Sequence, residues 1–84
     1  MEDRILVEVY FPSLLRSFDI LIPCNVRFYQ ISDMIERSVS RITSGRYVPS
    51  GNAMLCDRNT GMCFDVNLTA RDMCLHNGSS LLIL

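Results

Sequence analysis

Thiol and imidazole side chains are the groups in this sequence best suited to chemistry, and they are few. The 84 residues include four cysteines, Cys24, Cys56, Cys63 and Cys74, and one histidine, His76. Thiolates act as nucleophiles and metal ligands, and imidazole transfers protons or binds metal ions. The spacing of these residues does not match the paired cysteines of a structural zinc site. We therefore expect free thiols, with a Cys56–Cys63 cross-strand disulfide or a bound metal ion as the alternatives.

The carboxylates offer no obvious acid–base pair. Asp19, Asp33, Asp57 and Asp65 stand singly on predicted strand faces, on a helix face or in turns, where solvation accounts for them. The spacing between His76 and the cysteines does not indicate a nucleophile–base pair, and the glycines are isolated turn residues that form no phosphate-binding loop. We expect no catalytic residues, no cofactor, no metal site and no enzymatic activity.

Composition and charge are those of a small globular domain. The chain is 49% hydrophobic and 20% charged, which is far from the composition of disordered proteins. A net charge of −1 gives no basic surface for nucleic acid, and no apolar run approaches the ~20 residues of a membrane span. The N-terminus, Met1–Arg4, does not resemble a secretory signal. We expect one domain over residues 1–84, in the cytoplasm, where thiols stay reduced.

The elements that must position these side chains begin with two strands. Residues 4–11 alternate, with Ile5, Val7 and Val9 on one face, and residues 17–22 alternate again before a proline. Because only a short loop separates the two strands, they should pair as an antiparallel hairpin.

A helix is predicted over about residues 27–44. Apolar or small residues recur at three- and four-residue steps, which predicts one buried stripe. The stripe consists of Phe28, Ile31, Met34, Ile35, Ser38, Val39 and Ile42. Asn25 is a candidate N-cap, and Gly45 is a candidate left-handed stop. Asp33 and Arg37 form a favourable i,i+4 ion pair on the exposed face.

The second half of the chain predicts shorter elements. Residues 53–57 and 62–65 flank a turn and should form a second hairpin. Residues 68–75 form a short helical or turn-like segment that opens on a Thr69–Asp72 capping box. The Asn77-Gly78 turn leads to a final strand over residues 80–84. If that strand lies parallel to the first, one mixed sheet of four to five strands wraps the helix, an α+β β-grasp fold.

Several short motifs occur in a fixed order along this framework. They are Ile22-Pro23-x-Asn25-Val26, Met54-x-Cys56, Gly61, Phe64-Asp65-x-x-Leu68-Thr69 and Leu75-His76-Asn77-Gly78-Ser79-x-Leu81-x-Ile83. Together they resemble the YukD/EsaB family, which consists of ubiquitin-like proteins of bacterial type VII (WXG-substrate) secretion systems. The resemblance spans nearly the whole chain and implies a ubiquitin-like domain.

Conjugation through the C-terminus is not expected. Ubiquitin and the sulfur carriers of this fold use a flexible Gly-Gly terminus that an activating enzyme threads into a narrow channel. Leu84 is bulky and belongs to the predicted last strand. All eight basic residues are arginine, so no lysine amine is present on which a chain could be built.

The expected site is a binding surface on the sheet face that points away from the helix. Strand alternation places Glu8 and six candidate binding residues on this face. The six are Leu6, Tyr10, Leu21, Leu55, Leu82 and Leu84. Contiguous exposed apolar residues often mark interfaces. The alternative is that these residues are scattered, or are covered by the apolar stems of arginine side chains.

The resemblance implies a non-conjugated accessory or adaptor protein of type VII secretion. Such a protein would dock on protein partners, including membrane-embedded secretion machinery on its cytoplasmic side, or would associate with itself. Two alternatives remain. One is a generic ubiquitin-like interaction module unrelated to secretion, and the other is a thiol- or metal-based redox protein that uses Cys56 and Cys63.

Overall fold

An antiparallel hairpin opens the fold, as the alternation in the sequence predicts. The computed structural model describes residues 3–84. Strand β1 covers Arg4–Phe11 and strand β2 covers Arg16–Pro23, with the two paired along their full length. A 3-10 turn at Pro12–Leu14 joins them, and Leu15 completes the reversal with a φ of 50°.

The helix, α1, covers Phe28–Ile42, slightly less than the predicted range. The predicted cap at Asn25 is wrong, because Arg27 is the N-cap and its side chain makes no capping hydrogen bond. The first amides of a helix need other acceptors in such a case. Here the amide of Phe28 donates to the carbonyl oxygen of Leu68 over 2.9 Å. Backbone from the second half of the chain therefore replaces the side-chain cap.

Two other predictions about α1 are confirmed. Ser44 and Gly45 both have positive φ values, 54° and 84°, and the Gly45 amide donates to the Ser40 carbonyl over 2.8 Å. Glycine occupies this left-handed conformation without the steric cost that a Cβ adds. The ion pair between Asp33 and Arg37 is present at 3.1 Å.

The buried stripe of α1 lacks three predicted residues, Met34, Ser38 and Ile42, and includes two others, Ser32 and Glu36. Met34 at the edge of the stripe is 44% exposed, and Ile42 in the last turn is 56% exposed. The buried residues of the helix are Phe28, Ile31, Ser32, Ile35, Glu36 and Val39. The stripe is therefore narrower than predicted on one side and includes a carboxylate on the other.

Glu36 is buried because three groups donate hydrogen bonds to it. Its Oε2 accepts the Tyr47 hydroxyl at 2.6 Å, the Ser50 amide at 2.9 Å and the Ser50 hydroxyl at 3.3 Å. Buried carboxylates are tolerated when their oxygens are paired in this way. Burial, followed by the hydrogen bond to Glu36, raises the pKa of Tyr47 well above its ordinary value. The carboxylate thus fastens the loop after the helix to the helix itself.

The sheet is completed by two short strands from the end of the chain. Strand β3 covers Leu55–Asp57 and strand β4 covers Ser80–Ile83. The strand order is β2-β1-β4-β3, with β4 parallel to β1 and antiparallel to β3. The apolar final strand is therefore a central strand, as predicted, and its alternate residues Leu81 and Ile83 are buried.

One predicted element of the second half forms differently. The predicted strand at 62–65 is wrong, because Cys63 makes only a single antiparallel bridge to Cys56. Residues 70–74 form turns, which agrees with the helical or turn-like segment predicted over 68–75. The capping box that precedes these turns is present: the Thr69 amide donates to Asp72 over 3.0 Å, and the Asp72 amide donates back to the Thr69 hydroxyl over 3.1 Å.

The core fills the space between the inner face of the sheet and α1. It includes side chains from all four strands, from the helix and from the segment after β3, among them Phe64 and Ala70. A four-stranded mixed sheet that holds one helix on one face is the β-grasp arrangement, which confirms the predicted fold class.

Candidate functional site

The outer face of the sheet carries an exposed pair of leucines. Leu6 in β1 lies directly opposite Leu21 in β2. The Leu6 amide donates to the Asn77 side chain over 2.8 Å, and its carbonyl accepts the Gly78 amide over 2.8 Å, so its backbone polar groups point away from β2. Opposed residues of this non-hydrogen-bonded type have side chains that lie close together. The two side chains are 44% and 57% exposed, so they form a small apolar surface.

Two carboxylates border this apolar pair. Glu8 lies opposite Asp19 in the next outward-facing pair of the same strands. Like charges in directly opposed positions repel each other. The guanidinium of Arg58 approaches Glu8 to 3.3 Å and so reduces that repulsion. We name the set Leu6, Leu21, Glu8 and Asp19 the Leu6–Leu21 surface.

Arg58 also covers Tyr10, the next residue predicted for the surface. Its guanidinium carbon lies 4.4 Å from the centre of the Tyr10 ring, which is a cation–π distance. The same guanidinium reaches the Ser17 hydroxyl at 3.4 Å. An arginine therefore occupies the middle of the outer face. This agrees with the alternative stated for the sequence, in which arginine side chains cover residues of the predicted surface. No local pattern predicts this contact, because Arg58 belongs to a turn far from Glu8 in the chain.

Leu55 is not a surface residue, and its assignment to the outer face is corrected here. It is 3% exposed and lies opposite Ile83, whose side chain is also in the core. Because side chains alternate along a strand, the next residue, Cys56, points to the outer face instead. Cys56 lies opposite Leu82, and Leu82 lies beside Tyr10.

Leu82 and Leu84 lie apart from the Leu6–Leu21 surface. Leu82 is only partly exposed between its two neighbours in the sheet. Leu84 is 65% exposed, and its backbone pairs with Met54 through two hydrogen bonds of 2.9 and 3.1 Å. It lies near Pro12 at the end of the sheet. Of the six predicted residues, the structure thus brings together Leu6 with Leu21 and Tyr10 with Leu82, whereas Leu55 lies in the core and Leu84 pairs with Met54.

The sulfur atoms of Cys56 and Cys63 are 2.8 Å apart, and both residues are free thiols. Cys56 is fully buried, whereas Cys63 is exposed. Burial, together with the hydrogen bond that the Cys56 thiol makes with Cys63, raises the pKa of Cys56 to about 11. Cys56 therefore stays protonated near neutral pH, and the accessible sulfur of the pair is that of Cys63.

Asp57, Cys74 and His76 line one shallow hollow, a grouping that the sequence analysis missed. Their side chains form no relay, however. Asp57 accepts the amides of its own turn at Asn59, 2.7 Å, and Thr60, 3.2 Å. The His76 Nδ1 lies 2.9 Å from the Asn77 carbonyl oxygen. Nucleophilic catalysis requires a base within hydrogen-bonding reach of the thiol, and this geometry provides none for Cys74.

Residues 3–84 lack two further features. Within that range, no three His, Cys, Asp or Glu side chains are grouped so that they could hold a metal ion. None of the helices in the described part of the chain has the length and apolar character needed to cross a membrane.

Sequence comparisons give no relatives, whereas structural comparisons give many. No family model matches this chain, and no curated protein is similar to it in sequence. The ubiquitin-like domain of the Mycobacterium tuberculosis type VII secretion system protein ECCD1 superposes with a TM-score of 0.78 and 13% identity, over 98% of this chain and 98% of that chain. A chain of the MycP5-free ESX-5 inner membrane complex gives a TM-score of 0.78 and 15% identity, over 96% of this chain and 20% of that chain.

Ubiquitin-like domains of other proteins are also similar. The UBL domain of Plasmodium falciparum Dsk2 gives a TM-score of 0.73 and 10% identity, with 96% of each chain covered. At these identities the similarity establishes the fold alone. The chain has the ubiquitin-like form of the β-grasp fold.

Proposed function

We propose that this chain is a non-conjugated ubiquitin-like accessory domain of a type VII secretion apparatus, with a YukD-like role, and that it acts by docking on a protein of that apparatus. Two independent features support the secretion assignment. The ordered motifs resemble the YukD/EsaB family, and structural neighbours include a ubiquitin-like domain of ECCD1 and a chain of the ESX-5 inner membrane complex. The partner is a component of the membrane complex, bound on its cytoplasmic side.

The Leu6–Leu21 surface is the observation that carries the docking role. It combines two half-exposed leucines with two carboxylates on the paired strands β1 and β2. Interfaces gain affinity from apolar side chains that become fully buried, and gain orientation from charges at the rim. The matching partner surface presents an apolar side chain between the leucines and a basic side chain toward Asp19.

Binding, without catalysis or conjugation, is the proposed mode of action. The residues of β3 that could do chemistry make separate contacts, because the Cys56 thiol pairs with Cys63 and the Asp57 carboxylate accepts the amides of its own turn. The chain offers no lysine as an attachment site for further ubiquitin-like proteins. The functional unit is therefore the surface of the sheet.

The test is affinity purification of the tagged chain from cells of its source organism after carbodiimide cross-linking, which couples carboxylates such as Glu8 and Asp19 to lysine amines of a partner and needs no lysine in this chain. We expect a membrane subunit of the type VII machinery among the cross-linked products, with cross-links that map to β1 and β2. The variant Leu6→Lys/Leu21→Glu should lose the product, and a variant with the same new charges elsewhere should keep it. A source genome without type VII membrane subunits and WXG-type proteins would contradict the secretion assignment.

A generic ubiquitin-like interaction module is the second candidate. The similarity to the Dsk2 domain favours it, because the same fold occurs there in a protein of a different kind. The two candidates share the docking surface and differ in the partner. Cross-linking to a protein outside the secretion machinery, with the same dependence on Leu6 and Leu21, would favour the generic module.

A further inference from the structure

An isolated antiparallel bridge between β3 and the segment after it brings the side chains of Cys56 and Cys63 close together. The amide of Asp57 donates to the carbonyl of Met62 over 2.8 Å, and the amide of Phe64 donates to the carbonyl of Leu55 over 2.9 Å. These two bonds flank the Cys56–Cys63 bridge, so the cysteines form a non-hydrogen-bonded antiparallel pair. Such pairs have a Cα–Cα separation of about 4.5 Å. That value lies within the range of roughly 4.4–6.8 Å that disulfides require.

The side chains are already turned toward each other. Their sulfur atoms are 2.8 Å apart, and a disulfide bond has a length of about 2.05 Å. The bond can therefore form with a small movement of the two sulfurs while the backbone bridge stays in place. The other two cysteines lack this arrangement: Cys24 is buried, Cys74 is exposed, and neither has a sulfur contact among the described residues.

We propose that Cys56 and Cys63 are a modification site, a thiol pair that a low-molecular-weight disulfide such as oxidised glutathione converts reversibly into an intramolecular disulfide. This inference concerns the thiols alone and does not depend on the docking partner. The exposed sulfur of Cys63 reacts first and the buried sulfur of Cys56 second, because only Cys63 is accessible to a small molecule in solution.

The reaction balances in two exchange steps. In the first, Cys63 loses its proton to solvent, its thiolate attacks one sulfur of oxidised glutathione, and the other glutathione leaves as a thiolate that takes up a proton. In the second, Cys56 loses its proton, its sulfur attacks the Cys63 sulfur, and the Cys63–glutathione bond breaks. The two cysteines are oxidised, and one glutathione disulfide is reduced to two glutathione thiols. The raised pKa of Cys56 makes the second step faster at alkaline pH.

The bond would close a small ring that contains the turn from Arg58 to Gly61. That turn carries the arginine that covers Tyr10 and pairs with Glu8. A disulfide restricts the conformations of the ring that it closes. Oxidation would therefore hold Arg58 more firmly over the middle of the outer sheet face, next to the Leu6–Leu21 surface.

Mass spectrometry of the folded protein tests this proposal. The folded chain is equilibrated with mixtures of oxidised and reduced glutathione, and exchange is quenched with acid. The protein is then unfolded in denaturant so that its buried thiols also react, its free thiols are alkylated, and intact and proteolysed samples are weighed. We expect the protein to lose two of its four reactive thiols without keeping a glutathione, and the linked peptides to contain Cys56 and Cys63. Reduction with excess dithiol should restore all four thiols.

Single-cysteine variants make the result decisive. Cys63→Ser should abolish the internal bond, and Cys74→Ser, which changes another exposed cysteine, should leave it unchanged. Because Cys63 is exposed, its replacement should leave the fold intact, and circular dichroism checks this. A stable glutathione adduct on Cys63, four thiols that remain free, or a bond that includes Cys24 or Cys74 would overturn the proposal.

Discussion

Replacement of Leu6 by lysine and Leu21 by glutamate removes the apolar part of the Leu6–Leu21 surface while the net charge of the chain is unchanged. Because the two residues lie directly opposite each other, the new side chains attract each other across the strands. The cross-strand pairing is therefore kept while the surface becomes polar. We predict that Leu6→Lys/Leu21→Glu folds normally and loses affinity for the partner.

The expected loss follows from the exposure of the two leucines. Full burial of a leucine side chain contributes about 2 kcal/mol. The side chains are 44% and 57% exposed, so a partner can still bury about half of each. Together they contribute about 2 kcal/mol to binding, which corresponds to a dissociation constant about 30-fold larger in the variant. The charges add the cost of removing water from two ionised groups, so about 30-fold is the lower bound.

Isothermal titration with the purified membrane complex of the type VII machinery measures the loss. The matched control is Leu15→Lys/Val48→Glu, which adds the same charges at residues that are 81% and 75% exposed and lie outside the strands. The control should bind as the wild type does. Its melting temperature and that of the test variant should stay within about 8 °C of wild type, since 1 kcal/mol shifts a domain of this size by about 4–8 °C. Equal affinity of both variants and wild type would refute the docking surface.

Three further predictions concern the core and its polar contacts. Leu55→Asp should abolish cooperative unfolding in a urea titration, because it removes about 3 kcal/mol of stabilisation from the buried leucine and places an unpaired charge in the core. A domain of this size has a stability of roughly 4–12 kcal/mol, and a native-like urea midpoint would contradict the assignment of Leu55 to the core. Glu36→Ala should lower the free energy of unfolding by about 3 kcal/mol, because Tyr47 and Ser50 lose a charged acceptor, and a loss below about 1 kcal/mol would show that the contact is not stabilising. The pKa of Tyr47 in the folded state is above its ordinary value of 10.0, so the contribution of Tyr47 to the free energy of unfolding should be complete below pH 10 and should be lost as the pH rises beyond it. Unfolding measured against pH should show this loss in the wild type and not in Tyr47→Phe, and an equal loss in both proteins would contradict the assignment to Tyr47.

The larger elements could be predicted from the sequence because their periodicity is strong. Residues of β1 alternate over eight positions, those of β2 alternate over six, and α1 has a clear apolar stripe, so the type and order of these elements were predictable. The final strand was also predicted as central sheet, since Leu81 and Ile83 are too apolar for an edge in water. From these elements the β-grasp arrangement follows directly.

Shorter elements could not be predicted to the same detail. Strand β3 has three residues, which is too few for alternation to indicate which face is buried, and so Leu55 was assigned to the wrong side. The burial of Glu36 depends on donors from Tyr47 and Ser50, which lie in a loop without periodicity. The cover that Arg58 provides for Tyr10 likewise depends on tertiary structure. Each of these errors concerns a long-range contact that local pattern does not encode.

In our proposal, the outer face of β1 and β2 is the part of this domain that contacts the secretion machinery. Two-dimensional NMR of the isotope-labelled chain, recorded as the purified membrane complex is added, maps the contact residue by residue. We expect resonances of Leu6, Glu8, Asp19 and Leu21 to shift or broaden first, while those on the exposed face of α1, such as Tyr29 and Met34, stay unchanged. Broadening centred on α1, or no change at any residue, would contradict it.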